Sequence, residues 1–183
     1  RGLKLHPSFK FTALFDEKVN FNKMGVPVHQ VKEFSPEISI GCSISSKQYL
    51  ANALNDTNNI EFLKDWENLA TYYCMISPEG SGNVRSLKYF KSPFVTFNFT
   101  KKDITNLERG INNLGKLLFK SGAKTLFPSI QEPISFKSHE DIKKYNFKKL
   151  NKLNLMTIHL FSSLQMGGTR SSYAVNPEGH LWD

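Results

Sequence analysis

Between Leu5 and Phe15 apolar side chains fall on every second position, Phe9, Phe11, Ala13 and Phe15, with Ser8, Lys10 and Thr12 interleaved. A two-residue period sends alternate side chains to opposite faces of an extended chain, so this stretch predicts a strand with one buried face. Ile38, Ile40 and Cys42 repeat the pattern, and Leu153, Leu155 and Thr157 alternate on the approach to His159. Gly25 and Pro27, within Met24 to Val28, predict a turn ahead of an extended piece through Val31. Thr71 to Ile76 and Asn83 to Leu87 flank Ser77-Pro78-Glu79-Gly80-Ser81-Gly82, which reads as two strands joined in a hairpin.

Helical spacing takes over elsewhere. Tyr49, Leu50, Ala53 and Leu54 form a short stripe behind Ser45-Ser46, and Phe62, Leu63, Trp66 and Leu69 suit a second short helix. Ile104, Leu107, Ile111, Leu114, Leu117 and Leu118 predict a long amphipathic helix between Thr100-x-x-Asp103, a capping box, and Gly122, a C-terminal cap. Ser138 with Asp141 caps a shorter basic helix near Tyr145. Strands and helices do not alternate regularly and no repeat is present. The expected fold class is therefore α+β, with a mixed or antiparallel sheet flanked by helices.

The chain's 183 residues suit one ordinary domain, and 39% hydrophobic with 13% aromatic residues, fifteen Phe among them, exclude disorder. No apolar run is long enough for a transmembrane span. A net charge of +8 raises nucleic-acid binding as a function class. The lysines are scattered, however, and the denser run at Lys143, Lys144, Lys148, Lys149 and Lys152 reads as a solvated face, so no nucleic-acid partner is expected. Cys42 and Cys74 lack metal-site spacing and are expected to be reduced core residues.

Candidate chemistry is narrow. Gly80-x-Gly82 follows a strand as a dinucleotide-binding loop would, but Arg85 occupies the third glycine position. Of His6, His29, His139, His159 and His180, only His159 ends an extended apolar segment and enters a Gly-rich loop, a common setting for a reactive group. An imidazole titrates near neutrality, as general acid/base work requires. His6 before Pro7 reads as a strand-entry residue.

The run His159-Leu160-Phe161-Ser162-Ser163-Leu164-Gln165-Met166-Gly167-Gly168, followed by Val175-Asn176-Pro177-Glu178-Gly179, resembles a signature of glucose-methanol-choline (GMC) flavin oxidoreductases. That signature reads His-Pro-x-Gly-Thr-x-x-Met-Gly and then Val-Asp-x-x-Gly. Leu5-His6-Pro7 with Phe15-Asp16-Glu17, Val28 to Phe34, Tyr72 to Ile76 and Gly80 to Arg85 resemble other parts of the family. Leu160 stands for Pro, Ser162 for Gly, Leu164-Gln165 for Cys-Arg and Asn176 for Asp.

The resemblance implies an FAD-dependent oxidation of an alcohol CH–OH group to an aldehyde or ketone by hydride transfer to flavin, with His159 as general base. It places Asn176 and Pro177 at the cofactor. It also implies a division into residues 1–20, a strand segment of the flavin domain; 21–158, the substrate-binding α+β domain; and 159–183, a truncated return segment with the catalytic motif. The N-terminal flavin-binding region of the same protein is the expected partner, and the second catalytic His or Asn is expected beyond Asp183. The chain alone is expected to be inactive, and a cytoplasmic location is expected. The rival classes are a basic binding module for nucleic acid or anionic surfaces and a catalytically inactive structural domain.

Overall fold

The computed structural model describes residues 2–25, 27–162 and 164–182. Val26 of the expected turn, Ser163 of the motif, and both end residues lie outside the described residues. In chain order the elements are β1 (Lys4–Leu5), β2 (Ser8–Leu14), β3 (Gln30–Val31), β4 (Ile38–Cys42), α1 (Lys47–Asn55), a 3₁₀ segment (Ile60–Asn68) kinked at Asp65, and β5 (Leu69–Ile76). There follow β6 (Ser81–Arg85), β7 (Phe94–Asn98), α2 (Lys101–Lys120), β8 (Thr125–Pro128), α3 (His139–Lys144), a 3₁₀ turn (Leu150–Lys152) and β9 (Leu160–Phe161).

The fold is α+β. A five-stranded sheet runs β3-β4-β5-β2-β8, every neighbouring pair antiparallel. β2 lies inside this sheet, with Phe9 opposite Cys74 and Phe11 opposite Tyr72 on one side and Pro128 on the other. Residues 8–14, assigned from the resemblance to a flavin domain, thus share one sheet with residues 38–42 and 69–76.

One face of the sheet is closed. Phe9, Phe11, Ile38, Ile40, Cys74 and Ile76 pack against Leu107, Ile111, Leu114 and Leu118 of α2 and Ile142 of α3. Phe9 and Phe147 meet edge to face at 5.7 Å, an arrangement aromatic rings favour. Each buried Phe contributes roughly 2–3 kcal/mol. Gly110 lets α2 approach the sheet closely, since a Cβ there would stand 3.1 Å from Ile38 Cγ2.

On the other face, Leu50 and Leu54 of α1 cover Leu69 and Phe127, with Leu14, Phe62 and Trp66 around them. Leu69 therefore begins β5 and does not close the preceding helical stripe. The remainder of that face, carrying Ser8, Lys10, Tyr73 and Met75, borders a cavity.

The hairpin expected between β5 and β6 does not form. β6 pairs with β7 in a separate two-stranded sheet, Gly82 opposite Phe97. Asp103 accounts for the departure. Its carboxylate caps α2 by accepting from the Thr100 N–H, and it also accepts from the Glu79 N–H at 2.8 Å and the Gly80 N–H at 3.0 Å. The chain leaving β5 is thereby pulled to the start of α2. The same bonds consume amides that a phosphate would have needed, and a Cβ at Gly80 would stand 2.1 Å from the Asn98 carbonyl oxygen.

Among the described residues no helix is long and apolar enough to cross a membrane. Lys143, Lys148 and Lys152 of the basic run pair with Glu140, Glu108 and Glu132, which reduces the cationic face available to an anionic partner.

Candidate active site

His159 is placed by its neighbours in the chain. β1 and β9 pair antiparallel, Lys4 opposite Phe161 and Leu5 opposite Leu160. One step further along that register His6 faces His159, and their Nδ1 atoms are 3.2 Å apart. The rings meet edge to face at 5.4 Å, and His6 also packs against Phe161. Beyond them Ser8 bridges to Met156, so three steps along one strand answer two along the other. This extra residue beside His159 acts as a bulge, a device that re-aims side chains next to reactive sites.

The result is an exposed imidazole at the border of a cavity of about 360 Å³ on the open sheet face. Ser8, Lys10, Tyr73, Met75 and Met156 line it with His159. Tyr73 lies over Gly41, where a Cβ would stand 2.7 Å from its hydroxyl oxygen, so glycine there makes room for the ring. Burial lowers the Lys10 ammonium below its ordinary value, and its Nζ touches the Met156 sulfur at 3.4 Å. Burial also lowers the pKa of His6, and the neighbouring His159 adds to that effect. A larger cavity, about 550 Å³, lies between β4 and the C-terminal half of α2, and His159 does not line it.

The loop after His159 folds back on itself. Ser162 adopts a left-handed conformation, φ 63°, at the position where the GMC signature has Gly. Gln165 O accepts from the Ala174 and Val175 N–H groups, and Gly167 N–H donates to Val175 O. A Cβ at Gly167 would stand 2.4 Å from the Tyr173 ring, which explains a glycine after Met166. Asn176 and Pro177 lie in the next turn, where Asn176 Oδ1 accepts from the His180 N–H at 2.8 Å and Gly179 has φ 88°. Asn176 is thus the acceptor that closes its own turn, a task Asp performs equally well.

The chain is 34% identical over 183 residues to y4nJ, an uncharacterized GMC-type oxidoreductase of Sinorhizobium fredii, a match covering 98% of this chain and 36% of the relative. The chain is thus similar to one part of a GMC-type oxidoreductase. It spans little more than a third of that relative's length. No family model matches the chain.

The contact of His6 with His159 is the feature of this site that sequence reasoning missed. His6 does sit at a strand entry, but 153 residues separate it from His159, and no local signal in the sequence announces their contact. Among the described residues no cluster of three or more metal-ligating side chains is present.

Proposed function

We propose that this chain supplies the substrate wall and catalytic base of an FAD-dependent oxidoreductase acting on the CH–OH group of an alcohol. The observation that carries the reading is the exposed His159 imidazole, bordering a cavity on an uncovered sheet face. Around it Ile158 is 81% and Leu160 65% exposed. Apolar surface left open in this way marks a contact site, and it suits the flat aromatic ring of a flavin, whose nucleotide portion would be held by the flavin-binding region of the same protein. Asn176 and Pro177 would border the cofactor from the return loop.

A bound flavin supplies the hydride acceptor. The chain's own part is to bind and to handle a proton. Ser8, Lys10 and Tyr73 offer polar contacts at the floor of the cavity, with Met75 and Met156 as adaptable apolar lining. His159 receives the hydroxyl proton, which builds alkoxide character on oxygen and weakens the adjacent C–H bond. A positioned base of this kind contributes about 10² to 10⁴ in rate.

Replacing His159 with Ala in the complete protein is expected to lower turnover at least about a hundredfold while flavin content stays constant. Unchanged turnover would remove the assignment.

A further inference from the structure

The His6–His159 pair has a chemistry of its own. Two imidazoles joined Nδ1 to Nδ1 hydrogen-bond only when one Nδ1 carries a hydrogen and the other does not. The contact is 3.2 Å. If His6 were the donor, His159 would be protonated at Nε2 and would have no lone pair for a substrate. Gaining a second proton would then set two N–H groups against each other. If His159 is the donor, its Nε2 is unprotonated, and the Nδ1–H···Nδ1 bond survives when Nε2 takes a proton. His6 suits the acceptor's part once the pair gains a proton, because burial and the neighbouring ring both disfavour a cationic His6. It is held in place by Pro7, which is buried, and by edge contact with Phe161.

We propose that His6 is a positioning residue that accepts the Nδ1–H of His159, fixing the tautomer in which Nε2 is the free base. This deepens the reading of His159 as base and rests on it. Partners that orient a metal-bound histidine change activity by about 10- to 100-fold when removed, and an effect of the same order is expected for His6 acting on His159.

The test uses the complete flavin-loaded protein with ¹⁵N-labelled histidine. Nitrogen shifts are expected to show His159 protonated at Nδ1 in the neutral state. His6→Phe, which keeps the ring packing, should release His159 to the Nε2–H form and lower kcat about 10- to 100-fold with little change in KM. His6→Asn, whose Oδ1 can accept the same hydrogen, should restore both. An Nε2–H tautomer for His159 in the unaltered protein overturns the proposal, and that measurement stands even if the variants fail to fold. Unchanged kcat and tautomer in His6→Phe, with His159→Ala inactive, also overturns it while leaving the base assignment intact. Normal turnover in His159→Ala removes the base reading instead, and the tautomer measurement is independent of that result.

Discussion

Removing the Asp103 carboxylate as Asp103→Ala strips partners from three backbone N–H groups at once. Asp103 is 1% exposed and accepts from Thr100, Glu79 and Gly80. Hydrogen bonds to a charged group are worth about 1.5–3 kcal/mol each, so the lower end gives about 4–5 kcal/mol for three. Water reaching the partly buried Thr100 and Glu79 amides returns some of this, leaving an expected loss of about 3 kcal/mol. Burial opposes ionisation of this carboxyl, but the three backbone N–H groups and the Thr100 hydroxyl outweigh it, holding the pKa below the usual carboxylate value. A depressed folded-state pKa means the stabilisation is present above the unfolded value near 4 and is lost as pH falls through the folded value. Urea unfolding should therefore show the gap between wild type and Asp103→Asn narrowing as pH drops below about 4. Amide exchange at Glu79 and Gly80 should accelerate in Asp103→Ala. A loss under about 1 kcal/mol, or unchanged exchange at both amides, would refute the assignment of Asp103 as the tie between β5, β6 and α2.

Two further outcomes are expected. Ser162→Gly relieves a left-handed conformation costing about 1–2 kcal/mol but adds about 0.5–1 kcal/mol of unfolded-chain entropy. Thermal unfolding should shift upward by about 2 °C, and a fall would contradict the backbone assignment. Burial pushes the Cys74 thiol up to about 12 and also raises Cys42, which is half-buried. A thiol reagent at pH 8 should modify Cys42 first and Cys74 only on unfolding; equal rates would show that the sheet core opens readily.

Much of the fold was legible because local rules and tertiary packing agree. Phe9, Phe11 and Ala13 alternate in sequence and face one helix in space, and Thr100 and Asp103 make the expected capping box. The β5–β6 hairpin failed because that rule counts only turn residues and strand propensity. A turn prediction cannot foresee that a carboxylate two elements later will capture the Glu79 and Gly80 amides. The same blindness to distance hid His6. His159 could be selected from its local setting, whereas its partner's relevance depends on β1 returning beside β9.

That return has an architectural consequence. The backbone enters and leaves the sheet through one narrow neck, where Leu5 and Leu160 sit opposite each other, about 5 Å between Cα atoms as in any antiparallel pair. Everything between them hangs from that neck as a cassette, which a short hairpin turn could replace without stretching the backbone on either side. A different cassette could be spliced in between His6 and His159, leaving both imidazoles at the junction while the cavity beside them changes its walls.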